Sequence, residues 1–395
     1  MCSALNKNLE NMMDTYQQET QTSTVSTITA TLLSAAMCLP LAAVVQNAHA
    51  ETPPERGLVS LKYLDYQDSQ PGDDRIKVQA TSLKVLAPVY GDWSIGSSYT
   101  SDSISGASPA YHNGGISKMH DLRRAFDADV TRYFEHGSLT LGGNVSSESD
   151  YLSRGVSVQA SRSSDNKNTT WTAGIGYNND TINPNNKIVT NEKKYITDVL
   201  FSVTQILTVN DIVQLNLGLT RGRGYYSDPY KIFDNRPRER NNNTVLARWN
   251  HHSETTKGTT RLSYRYYSDS WSIKAHTLNL EYVQPVAQGW SITPSLRLYT
   301  QSAASFYVDA DPSLYPFPPN PSPDALNYSE DQRVSAFGAR TFGLKISKQI
   351  DEDWSADIKL EQYQQRSSWR LFGSGSPGLL PFNARMIQVG LARQF

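Results

Sequence analysis

The sequence predicts an all-β protein: one antiparallel, up-and-down transmembrane β-barrel of about sixteen strands, within a range of roughly fourteen to eighteen. Three observations carry that prediction. Apolar residues recur at every second position in segments of roughly ten residues. Short turns alternate with long polar loops along the chain. The last residue is Phe395, in register with Leu391 and Val389. A strand with lipid on one side and water on the other needs this alternation. A soluble sandwich alternates too, but it has no reason to exchange short and long connections regularly. Tight turns at a periplasmic rim and long loops outside the cell describe a barrel.

The chain opens on what reads as an export signal over residues 1–50. Ile28 to Val45 (ITATLLSAAMCLPLAAVV) is the one sustained apolar run, and Ala48-His49-Ala50 offers small residues for cleavage after Ala50. Both cysteines, Cys2 and Cys38, lie in it, with Lys7 its one cation. A membrane anchor is the plainer alternative, and a lipoprotein cut before Cys38 fits poorly with Met37 ahead of it. Residues 51–395 then form the barrel, in the outer membrane. No later stretch approaches the roughly 18 consecutive apolar residues of a spanning helix.

Strands follow in order. Segments 57–66 and 74–87 come first, the second weakly patterned, and the turn Pro88–Asp92 leads to 91–102. A long loop, Ser101–Asp121, precedes 121–134, and the turn Glu135–Gly137 leads to 137–148. Segment 153–163 is again weak. Strand 169–179 is clear, with Trp171, Ala173, Ile175 and Tyr177 alternating with Thr172, Gly174, Gly176 and Asn178. Loop Asn179–Lys194, strand 195–207 and turn Thr208–Asn210 lead to 211–222, where Val213, Leu215, Leu217 and Leu219 share a face. Loop Gly222–Asn241 precedes strands 242–252, 259–268 and 273–285, and the turn Val286–Gln288 leads to 289–303. Loop Ala304–Gln332 comes next, then 333–349, the turn Asp351–Glu352, 353–370, loop Leu371–Asn383 and 384–395. An even count returns both termini to the periplasmic end. Trp93, Phe134, Trp290 and Trp354 gather beside the short turns, as an interfacial girdle does. No internal similarity supports two eight-stranded halves.

The composition agrees with this reading. Among 395 residues, 37 Lys and Arg meet 38 Asp and Glu, which leaves no basic excess for a nucleic-acid partner. Only 38% is hydrophobic, yet there are 22 Tyr, 7 Trp and 11 Phe, a poor match to a large enzyme core.

The terminal strand, Ile387 to Phe395, resembles the signal read by bacterial barrel-assembly machinery, with Val389, Leu391 and Phe395 as its alternate positions; Arg393 departs from it. Residues 259–307 carry a further resemblance. Ser263-Tyr-Arg-Tyr-Tyr267, Asp269-Ser-Trp271, Ala275-His-Thr277, Pro294-Ser-Leu-Arg297, Tyr299, Gln301 and Phe306-Tyr307 resemble an uncharacterised family of bacterial outer-membrane barrels, a domain of unknown function. The resemblance implies an outer-membrane barrel. Members often neighbour thioredoxin-like and flavin-transferring proteins, which implies redox work and a periplasmic partner without assigning chemistry to any residue.

Chemistry is thin. His251 and His252 point to opposite faces of a strand, so they do not share a metal. His276 falls in the lipid-facing set with Leu278, Leu280 and Tyr282; Ser270, Ser272 and Asp269 are the partners a hydrolytic triad would use, but no spacing specifies one. Asp127 and Asp129 share a face as ordinary interior residues. No catalytic residue, metal or cofactor is expected. Opposite the lipid face lie Arg261, Arg265, Glu281, Arg297, Lys345, Asp357, Lys359 and Glu361, a mixed-charge set that lines a pore or fills the interior as a structural network. The loop 304–332 holds six prolines between Asp309 and Asp324, stiff enough to enter the mouth or to lie on the surface. The leading function is a porin-like channel for small polar or charged solutes. A non-conducting scaffold for a redox partner comes second and an outer-membrane hydrolase third. Lipid and the assembly machinery are the expected partners.

Overall fold

In the computed structural model of the chain, residues 53–71, 73–107, 118–231, 233–309 and 320–395 are described. The export signal expected over 1–50, and residues 310–319 of the proline-rich loop, lie outside them. The strands are β1 (Leu58–Gln70), β2 (Asp73–Val89), β3 (Trp93–Ala107), β4 (Lys118–Phe134), β5 (Gly137–Ser147), β6 (Tyr151–Ser163), β7 (Thr169–Ile182), β8 (Glu192–Ile206) and β9 (Asp211–Gly224). They continue with β10 (Asp234–Asn235), β11 (Glu239–His252), β12 (Thr259–Asp269), β13 (Lys274–Ala287), β14 (Trp290–Gln301), β15 (Tyr328–Ser329), β16 (Phe337–Gln349), β17 (Trp354–Arg366) and β18 (Phe382–Gln394). Sixteen of them close into one barrel in chain order, while β10 and β15 pair separately above it. Closure removes both sheet edges, so every strand satisfies its backbone inside lipid.

The outer wall is apolar. Leu61, Tyr63, Phe126, Leu141, Ile175, Phe201, Leu217, Leu280, Phe342, Leu360 and Val389 are all exposed on it, each alternating with a buried or half-buried neighbour. In a soluble protein this would be an aggregating surface; in a bilayer it is the lipid contact. At the periplasmic rim the girdle aromatics carry cations on their faces: Arg132 lies 5.4 Å from the Trp93 ring and 5.1 Å from Phe134, Lys348 5.1 Å from Trp290 and Arg393 5.4 Å from Trp354. Arg393, the residue out of pattern in the terminal strand, therefore sits where a long cationic side chain reaches the headgroups past an aromatic ring.

The barrel closes at its termini. Gly57 and Phe395 exchange both backbone hydrogen bonds, at 2.8 and 3.0 Å. A Cβ on Gly57 would come within 2.4 Å of the Phe395 ring, so the closing aromatic needs a glycine beneath it. Arg56 adds an ion pair to Asp353 and a bond to the Gln394 carbonyl.

Two expectations change in detail. Strands β1, β3, β4, β7, β8 and β11 run three to five residues further at the extracellular end than the alternation indicates, β14, β16 and β17 stop two to four residues short of it, and three extracellular connections (71–72, 148–150 and 270–273) are as tight as the periplasmic turns. The weak pattern of β2 also has a cause. Near the mouth its inner face is apolar, Ile76, Val78 and Ala80 packing with Leu64, Tyr66, Ala384 and Met386, while Lys77, Gln79 and Thr81 face outward, so the usual contrast is inverted there.

Candidate functional site: the barrel interior and its extracellular lid

Long-range pairing places the interior residues on one wall. Arg261 lies 3.8 Å from Glu281 across β12 and β13, and Arg265 reaches Thr277 at 3.4 Å. Arg297 donates to Asn279 at 2.6 Å on the same face. On β17, Lys359 sits 3.2 Å from Glu361, with Lys345 its register partner on β16 and Asp357 lying over Gly390 of β18. All eight residues stand opposite the exposed apolar residues of their strands. Towards the extracellular end, four ion pairs tie interior charges locally: Asp68 with Arg75 (3.9 Å), Asp102 with Arg123 (3.1 Å), Asp180 with Lys194 (3.0 Å) and Asp269 with Arg240 (2.9 Å).

The histidines separate as well. His251 binds Asp211 at 2.9 Å and His252 binds Thr259 at 3.1 Å, in different directions. His276 faces outward, its Nδ1 2.6 Å from the Tyr264 hydroxyl and its ring beside Tyr266 and Phe372. Asp269 points inward, where it accepts from Arg240, Tyr267 and two loop amides. No triad forms between His276 and Asp269, because the wall of the barrel lies between them. Among the described residues no group of His, Cys, Asp and Glu is placed to hold a metal. A hollow of about 360 Å³ between Trp171, Phe201, Leu215 and Leu217 opens on the outer wall, towards lipid.

The extracellular mouth holds a second, unforeseen assembly. Loop 225–238, between β9 and β11, and loop 302–336, between β14 and β16, meet through the β10–β15 ribbon. A buried charge cluster fastens them. Asp331, 1% exposed, accepts from Arg236 at 2.6 Å and from Arg333 at 2.7 Å. Arg236 also holds Asp234 at 2.8 Å, and Arg333 reaches Asp228 at 3.3 Å. Burial by itself would raise the Asp331 carboxyl; Arg333, Lys231 and Arg236 outweigh it and hold the group well below the usual carboxylate range. Neighbouring Glu330 is pushed up, by burial first, with Lys231 opposing. An apolar cluster of Trp271, Ile273, Ala304, Phe306 and Val334 packs beneath, with Arg240 stacked 4.2 Å from the Trp271 ring.

These loops reach across the rim. Tyr230 donates to Asp150 of the β5–β6 turn at 2.6 Å, and Gln332 meets Gln70 beside the β1–β2 turn at 3.5 Å. In ring order the four connections stand four strands apart, so their contacts run as chords over the mouth. Ser376 and Gly378 of the β17–β18 loop add bonds to Ala336 and Asp309 at 2.9 Å. The described parts of loop 304–332 thus belong to a lid. Parity cannot announce this, since Arg236 and Asp331 are distant in sequence and neither lies in an alternating segment.

Fold and interior together define a transmembrane β-barrel of the outer-membrane type. Residues 112–386 match the model of a family described as a protein of unknown function, DUF3570, and the chain belongs to that family. Among solved structures, a bacterial polysaccharide outer membrane secretin has a TM-score of 0.51 at 7% identity, covering 85% of this chain and 98% of that one. Pseudomonas aeruginosa OccK1 gives 0.44 at 10% identity, covering 86% and 98%. The CymD monoaromatic hydrocarbon channel gives 0.44 at 7% identity, covering 86% and 89%. At such identities the likeness is one of fold. No curated protein matches the chain in sequence.

Proposed function

We propose that this protein is a channel of the outer membrane for small polar or charged solutes, entered from outside past a loop lid. One observation carries the reading: the inner wall bears charged side chains along β11 to β17, while the outer wall of the same strands is apolar. Charges at these depths are tolerable against water and costly against lipid. A wall of both signs discriminates among solutes by charge. The lid makes entry selective, because a solute must pass loops 225–238 and 302–336, which are bonded to one another. It also favours a second reading, a closed scaffold barrel that docks a periplasmic partner.

Planar bilayer recording of the purified barrel separates the two. Stepwise conductance supports the channel. Its absence both in the natural sequence and in an Asp331→Asn variant with a loosened lid would leave the scaffold.

A further inference from the structure

Inward-facing cations outnumber carboxylates on the wall that runs from β11 round through β18 to β1 and β2. Lys62 on β1 lies within electrostatic reach of Asp357 first, and then of Lys345 on β16, Lys359 on β17 and Lys84 on β2. Register explains the gathering: Lys62 pairs with Gly390, Gly390 with Asp357, Lys359 with Lys345, and Lys84 with Ser60, so β2, β1, β18, β17 and β16 bring the lysines to one stretch of wall. Arg248, Arg261, Arg265 and Arg297 extend the basic surface over β11, β12 and β14. Glu281, Asp357 and Glu361 are the acidic groups among them. Asp127 and Asp129 face inward from β4, two strands from β2, with Asp129 within electrostatic reach of Lys84, and Asp198 faces inward from β8. The cations of these strands, Arg123 and Lys194, are engaged nearer the extracellular end by Asp102 and Asp180.

That excess has a physical consequence. Paired charges cancel within a few ångströms, whereas the cations in excess on one low-dielectric wall add and focus their field into the lumen. A wall of Lys and Arg is how a pore draws anions out of bulk water. Lysine suits passage, because its compact, hydrated ammonium attracts an anion without the two-pronged grip of a guanidinium.

Resting on the channel reading, we propose that the Lys62–Lys84–Lys345–Lys359 wall is the selectivity element and takes small anionic solutes, carboxylates or phosphates.

The test is the reversal potential of the natural barrel in a steep KCl gradient, repeated with Lys62→Gln/Lys84→Gln. A preference for chloride of roughly threefold is expected in the first and close to none in the second, and inorganic phosphate should reduce chloride current in the first alone. A conducting barrel that prefers potassium overturns the inference and leaves the channel standing, and so does a double variant whose selectivity is unchanged. A barrel that conducts in no form overturns both. The measurement on the natural barrel stands even if the double variant fails to fold.

Discussion

At the scale of single residues, facing is the property with the largest energetic consequence. Leu280 is 43% exposed on the outer wall, whereas Glu281, one position later, is 7% exposed and paired with Arg261. Leu280→Arg puts a cation against lipid and is expected to cost roughly 2–4 kcal/mol near the midplane. Glu281→Arg sets two guanidiniums side by side in the lumen, so a smaller loss is expected, with interior charge shifted towards anions. Refolding yields in lipid vesicles compare the two; the reverse order would mean that the walls are exchanged. Gly57 is the residue that alternation does not pick out. It matters because Phe395 lies on it. Gly57→Val should lower the heat-modifiable, folded fraction about as much as deleting Phe395 does, and a normal folded fraction would show that the ring is not needed at the seam.

Among the elements, the lid is the part whose stability depends on charge. Asp331→Asn leaves Arg236 and Arg333 buried without their shared carboxylate, a change of about 3–5 kcal/mol in comparable buried pairs. Faster hydrogen exchange in 225–238 and 320–336, with the strands unaffected, is the expected readout. The pH dependence follows from the same group. Its carboxyl is depressed on folding, so its contribution is complete above the ordinary value of 3.8 and is lost as pH falls through the lower folded value. Glu330, raised on folding, acts in the opposite sense and favours the lid as pH falls. Asp331 faces three cations and dominates. Lid exchange should therefore stay slow down to the carboxylate range and quicken below it. An onset near neutral pH would point to a different latch.

For the whole molecule, the outward apolar band and the closed ring require a bilayer. The protein should fractionate with outer membranes and migrate differently on a gel before and after heating. Recovery of most of it in a soluble periplasmic fraction would contradict the reading from the first strand onward.

Strand number, order and facing were legible because a strand's side-chain period is two and lipid enforces that period on sixteen separate segments. The pattern faded where the physics differed, as on β2, whose inner face is apolar near the mouth, and at the extracellular ends, where some strands outlast the bilayer and others give way to loop. Chain order alone fixed which strands are neighbours, since each pairs with the next and the last with the first. Loop contacts obey no period. That Arg236 meets Asp331, that Tyr230 crosses to Asp150, and that Lys62 and Lys84 join Lys345 and Lys359 on one wall depends on the closure of the ring, which sets residues hundreds of positions apart side by side. The sequence by itself thus determined the barrel and its two faces. Only the tertiary structure decided which charges gather on which wall and which loops close the mouth, because those follow from curvature and closure and not from local alternation.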